Sequence, residues 1–204
     1  MPDLSQDKKP SLRISHIVYG RESRGQRVVY FLDPRGEGGR KGIAEKIVLT
    51  RWRKRKFDGY VFSGDRLSPN LWRALPLVLG NDVSSWTTYT KAELQREVET
   101  KREVLRRGNM SVPSVDVLWA LLQVCGSERL SALVARHSIQ GGTAQYGVPD
   151  LFLCATNESG LPCIARFVEV KKPEERVSTE QRDEIAFLKA LGLHARILRL
   201  VERE

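Results

Sequence analysis

The chain has 204 residues, 41% of them hydrophobic, and carries 34 lysines and arginines against 25 aspartates and glutamates, giving a formal charge of +9 and a pI near 9.7. That apolar content is enough for one packed domain, and the positive excess suits a polyanionic partner. The cysteines Cys125, Cys154 and Cys163 lie in apolar stretches without metal-type spacing, which argues against a disulfide scaffold and for a reducing, intracellular compartment. The polar N-terminus reads as no secretory signal, and no apolar run approaches the roughly 20 residues of a membrane span.

Residues 1–10 read as a loose tail rich in charge and proline. Residues 12–20 and 27–32 have the β-branched and aromatic character of strands. The run 34–42 (Pro-Arg-Gly-Glu-Gly-Gly-Arg-Lys-Gly) lacks the spacing of a phosphate-binding loop and reads as a solvated loop. A helix is predicted over 43–57, where Ala44, Ile47, Val48 and Trp52 fall at helical spacing. Its end is basic, with Arg51, Arg53, Lys54, Arg55 and Lys56. Such a run either complements the helix dipole or meets phosphates. Residues 58–90 give no clear element.

A second helix spans 91–107, with Leu94, Val98 and Leu105 as its apolar stripe and charges of both signs on a solvated face. Residues 114–125 and 127–138 read as a helical pair with Ser114 and Ser127 as caps. Two strands follow, 150–154 and 164–171, joined by a turn over 156–162. Ser178-Thr179-Glu180-Gln181 is a capping box opening a helix that runs through Leu191 to Gly192. A last strand, 194–201, follows that helix, a pattern that predicts a parallel crossover.

The densest chemistry lies in Gly147-Val148-Pro149-Asp150-Leu151 and, beyond a strand and a turn, in Glu169-Val170-Lys171. Residues two apart on a strand share a face, so Glu169 and Lys171 project together while Val170 turns into the core. A hairpin brings Asp150 beside them. Two carboxylates and an ammonium gathered on one face are costly to bury unless a cation joins them, and hard oxygen donors suit Mg²⁺ or Mn²⁺.

This set resembles the PD-(D/E)xK nuclease core. The flanking sequence, Phe167-Val168-Glu169-Val170-Lys171-Lys172-Pro173 with Arg176-Val177-Ser178 and Gln181, is similar to the VRR-NUC family, with Lys172 where the family commonly has glycine. The resemblance is clear over about 110–202. It implies an α/β fold: a restriction-endonuclease-like mixed central sheet flanked by helices, carrying an N-terminal α/β extension. The division would be a tail at 1–10, an extension at 11–109 with the basic helix, and a nuclease core at 110–204.

The implied activity is Mg²⁺- or Mn²⁺-dependent hydrolysis of phosphodiesters in structured DNA (flaps, branched DNA or Holliday junctions) in repair or recombination. Asp150, Glu169 and the Val170 carbonyl would hold metal, and Lys171 would position the attacking water. The resemblance further assigns Gln181 to the active site. It also assigns a carboxylate on a helix preceding the core sheet, for which Glu45 is the candidate and Glu93 and Glu97 are rivals. DNA contacts are expected from Arg51, Arg53, Lys54, Arg55, Lys56, Lys172 and the pair Arg136 and His137. Symmetric junction cleavage needs two active sites and so implies a homodimer. The alternative is a DNA-binding module on an inactive nuclease fold.

Overall fold

The computed structural model describes residues 18–19, 21–24, 27–30, 44–139, 147–172 and 175–202. The tail at 1–10, the loop at 34–42, Gln140-Gly141-Gly142 and Pro173 lie outside the described residues.

The centre is a four-stranded sheet in the order β4-β5-β6-β7, formed by β4 (Tyr60–Arg66), β5 (Leu151–Asn157), β6 (Pro162–Lys171) and β7 (Ala195–Arg199). β4 and β5 run antiparallel, from Tyr60 opposite Asn157 to Arg66 opposite Leu151. β5 and β6 form the expected hairpin, with Leu151 opposite Val168. β6 and β7 are parallel, from Phe167 opposite Ala195 to Lys171 opposite Arg199. Helix α5 (Thr179–Ala190) makes the crossover between them, as the strand–helix–strand pattern required. Of the N-terminal strands, β2 (Arg21–Arg24) and β3 (Arg27–Tyr30) form an antiparallel pair, while β1 (Val18–Tyr19) runs parallel to the terminal β8 (Val201–Glu202).

β5 is buried on both sides because its sequence, Leu-Phe-Leu-Cys-Ala, is apolar without alternation. Leu151, Leu153 and Ala155 face helix α1 (Ala44–Arg53) together with Val168 and Val170 of β6. Phe152, Cys154 and Phe167 face the opposite layer, built from α2 (Leu71–Leu79), a 3₁₀ turn at Val83–Thr88, α3 (Lys91–Arg107), α4 (Val115–Ile139) and α5. α1 docks through Ile47, Val48 and Trp52, each 1% exposed, and the Trp52 indole N–H donates to the carbonyls of Ser63 and Cys154. The four-stranded sheet therefore begins with β4 and its covering helix, before residue 110, and both pack against β5 and β6.

β4 and α2 escaped the sequence reading. β4 is interrupted by Gly64, and α2 contains Pro76, both of which blur periodicity. The expected helix at 43–57 ends at Arg53. α4 breaks at Gly126, whose φ of 68° and ψ of 164° lie outside the helical region, so the predicted pair of helices is realised with the glycine as the joint. Val115–Ser138 is long and apolar enough, by length and composition alone, to cross a membrane. Its Leu118, Leu121, Leu122, Leu130 and Leu133 are all buried in the core. Ser114 stands at the start of α4, where its carbonyl accepts from the Leu118 N–H, and its own N–H and hydroxyl donate to Asp65.

Candidate active site

The end of the sheet where β5 begins and β6 finishes collects the charged side chains. Asp150 precedes β5 by one residue. Its carbonyl accepts from the Leu67 N–H at 2.8 Å, and its Oδ2 accepts from the Val170 N–H at 2.8 Å. This ties the aspartate to the middle of Glu169-Val170-Lys171. Burial raises the Asp150 pKa, and the nearby Glu45 charge adds to the rise against the Val170 bond. Glu45, in the first turn of α1, therefore lies within electrostatic reach of Asp150. Glu93 is committed elsewhere: its carboxylate caps α3, accepting from the Thr90 N–H and hydroxyl at 2.8 Å each.

Glu169 and Lys171 share a face, as the strand period demands. They are 2% and 4% exposed, and Lys171 Nζ lies 3.0 Å from Glu169 Oε1. Burial, then repulsion from Asp150, pushes Glu169 up to about 7 despite that ion pair. Burial opposes the charge of Lys171, yet its bond to Glu169 and the field of Glu175 hold its pKa above the usual lysine value.

Glu175 is a site residue the sequence reading missed. Its Oε1 lies 3.3 Å from Lys171 Nζ, and its Oε2 accepts from the Lys172 N–H at 3.1 Å. Arg199 Nη1 donates to the Lys172 and Glu175 carbonyls and steadies that turn. The signal available was spacing alone, an acid four residues beyond the lysine, and spacing does not reveal a turn that folds back.

Gln181 reaches the same cluster from α5. Its Oε1 accepts from the Ser178 N–H at 3.0 Å, and its backbone N–H donates to the Ser178 hydroxyl at 3.2 Å, closing the capping box. With the amide oxygen occupied, the amide NH₂ points inward and donates to Glu169 Oε1. The cap and the active-site bond are one arrangement.

The donor chemistry fits a hard divalent cation. Glu169 is buried and Asp150 half-buried, both have raised pKa values with a third acid nearby, and a single ammonium balances them. Among the described residues no group of three or more His, Cys, Asp or Glu side chains is gathered as a ready ligand cluster. Glu169 is turned onto Lys171 and Gln181 instead.

The family model for the VRR-NUC domain matches residues 82–201, more than half of the sequence. The chain belongs to the VRR-NUC domain family. Asp150, Glu169, Lys171 and Gln181 all lie within the matched span, and the four-stranded mixed sheet flanked by helices is the PD-(D/E)xK architecture of VRR-NUC nucleases. No curated protein matches the sequence. Among solved structures, paFAN1 bound to a 5′-flap DNA with a two-nucleotide flap and a gap is similar at 14% identity and a TM-score of 0.47, over 80% of this chain and 35% of that one. A second paFAN1 structure, bound to a one-nucleotide 5′-flap DNA with a gap, is similar at 16% identity and a TM-score of 0.42, over 80% and 36%. This VRR-NUC chain thus spans about a third of the length of those proteins.

The expected DNA contacts divide. Arg51, Lys54 and Lys56 are exposed. Arg53 turns back to Asp65, at 2.9 Å, and to the Gly64 carbonyl. Arg55 stacks its guanidinium 5.4 Å from the Trp52 ring centre. Arg55 also belongs to a second feature missed in the sequence. It faces Arg166 and Arg196 on the α1 side of the sheet, and burial together with their repulsion draws Arg166 down to about 10. Lys172 is exposed at the rim of the site.

The pair Arg136 and His137 does not stand out toward solvent as expected of DNA contacts. His137 is 6% exposed, and its Nε2 lies 3.0 Å from Glu184 Oε1, while Arg136 Nε donates to Glu184 Oε2 at 2.8 Å. A buried carboxylate on α5, invisible in the sequence as a partner, takes both.

Proposed function

We propose that this VRR-NUC protein is a divalent-metal-dependent endonuclease acting on structured DNA. The observation that carries the reading is the convergence of Asp150, Glu169, Lys171 and Gln181 at one end of the sheet, with Glu45 entering from α1 and Glu175 behind the lysine.

Asp150 and Glu169, joined by the Val170 carbonyl and Glu45, would hold Mg²⁺ or Mn²⁺. The ion would supply an acidified water and neutralise charge on the phosphate under attack. The chain's own residues do the rest. Lys171 is kept protonated by two acids and so presents a fixed positive charge beside the attacking oxygen and the developing phosphorane charge. Gln181 holds one Glu169 oxygen and leaves the other for ligation. Glu175 is a second acid on the Lys171 ammonium, so the placing of that charge does not rest on Glu169 alone. Burial of Glu169 excludes bulk water, which strengthens each of these interactions.

Arg51, Lys54, Lys56 and Lys172 are the exposed cations assigned to the DNA backbone, in keeping with the +9 charge. Flap or branched DNA is the proposed substrate, in line with the VRR-NUC signature around Glu169-Val170-Lys171. Repair or recombination inside the cell is the proposed setting, and a homodimer the form that cuts junctions symmetrically.

The test is cleavage of end-labelled flap, four-way junction and plain duplex DNA, with Mg²⁺, with Mn²⁺ and with chelator. Metal-dependent cuts concentrated at the branch support the proposal. Binding to all three without cleavage under any condition contradicts it and favours the inactive DNA-binding module.

A further inference from the structure

Glu184 is a carboxylate with 1% exposure on the inner face of α5. An unpaired charge there would be strongly destabilising, so its partners explain its presence. Both oxygens are engaged, one by His137 Nε2 at 3.0 Å and the other by Arg136 Nε at 2.8 Å. Although burial alone would raise its pKa, those two bonds hold Glu184 below the usual carboxylate range.

The cluster extends in both directions. The Arg136 guanidinium lies 4.4 Å from the ring centre of Phe187, one turn further along α5. The His137 ring packs 6.1 Å from that of Trp72 on α2. The last turn of α4 therefore grips two successive turns of α5. A third segment meets the same place: a Cβ added to Gly147 would lie 2.9 Å from the Glu180 carbonyl oxygen and 3.0 Å from Glu184 Cβ. Only glycine lets the chain leading to Asp150 pass so close to α5.

Gln181 sits three residues before Glu184 on the same helix, hence on the same face. Its amide reaches Glu169 only if α5 keeps its rotation and its position along the axis. Apolar packing tolerates sliding, whereas a carboxylate bonded at both oxygens from two consecutive residues does not.

We infer that Arg136, His137 and Glu184 form a positioning cluster that sets the register of α5 and thereby holds the Gln181 amide on Glu169. The inference rests on the nuclease reading of the site. It gives Arg136 and His137 a task inside the protein in place of contact with DNA.

The test is a double-mutant cycle. Glu184→Gln preserves shape and removes the charge that both partners bind. It should lower kcat on flap DNA about tenfold, the order seen when groups that orient a site are removed, with KM little changed. In a Gln181→Ala background the same substitution should change kcat less than about twofold, because the group it acts through is gone. A full tenfold drop in that background would overturn the inference, since a merely destabilising change acts regardless of Gln181. The coupling is also readable without turnover. The side-chain amide of Gln181, resolved by ¹⁵N NMR, should show slowed hydrogen exchange in the wild type and lose that protection in Glu184→Gln. Protection unchanged by the substitution would overturn the inference on its own. A wild-type protein that cuts no substrate yet shows the loss of protection would instead count against the nuclease reading and leave the positioning cluster standing.

Discussion

Replacing Glu169 by glutamine should stabilise the metal-free protein at pH 8 and have little such effect at pH 4. Burial and the Asp150 charge lift the Glu169 pKa from 4.5 to about 7. A carboxylate with a raised folded-state pKa contributes stability that is fully present below its unfolded value and lost as pH rises through the folded one. Between pH 4.5 and 7 the unfolded chain has released the proton that the folded chain still holds, so stability falls across that window and levels off above it. A lift of that size corresponds to roughly 3 kcal/mol at about 1.4 kcal/mol per unit. Glutamine retains an oxygen for Lys171 and removes the titration. Denaturant unfolding in chelator should therefore show the mutant gaining roughly 3 kcal/mol on the wild type between pH 4 and pH 8. Mg²⁺ or Mn²⁺ should return that difference to the wild type alone, because only a carboxylate gains from the ion. A difference between the two proteins that does not vary with pH would refute the reasoning.

Gly147→Ala should push α5 away from Asp150, costing about 1–3 kcal/mol by the usual scale of overpacking, and the unfolding midpoint together with cleavage rate will show it. Leu121→Ala, at a fully buried position in the core between the sheet and its helical layer, should destabilise by about 2–5 kcal/mol in the same unfolding assay. Neutralising Arg51, Lys54 and Lys56 together should weaken binding to all DNA sequences alike, and the slope of log affinity against log salt should become shallower by about 1 for each phosphate no longer neutralised. A slope unchanged by the triple substitution would remove α1 and the residues after it from the DNA path.

The active-site strand was legible because the strand period alone places Glu169 and Lys171 on one face, and because the capping box Ser178–Gln181 marks the start of α5 without tertiary information. The hairpin and parallel crossover followed from the order of elements. What the sequence hid depended on long-range pairing. β4 is a short strand with a glycine in it, and it is recognisable as the sheet's edge only once Tyr60–Arg66 lies against Leu151–Asn157. Arg136 and His137 look like any surface basic pair until Glu184, 47 residues from the histidine, turns inward to meet them. Glu175 becomes part of the site through a backbone turn that brings it back to Lys171. Glu45 lay on a correctly expected helix, and only the docking of α1 on β5 and β6 brings it near Asp150.

The central claim is that Lys171 and the two carboxylates beside it perform phosphodiester hydrolysis. Its most direct test compares wild type with Lys171→Ala on a labelled flap substrate in Mn²⁺, measuring single-turnover cleavage and DNA affinity in parallel. The account predicts that cleavage is abolished while affinity stays within a few fold. Cleavage retained at the wild-type rate would contradict it.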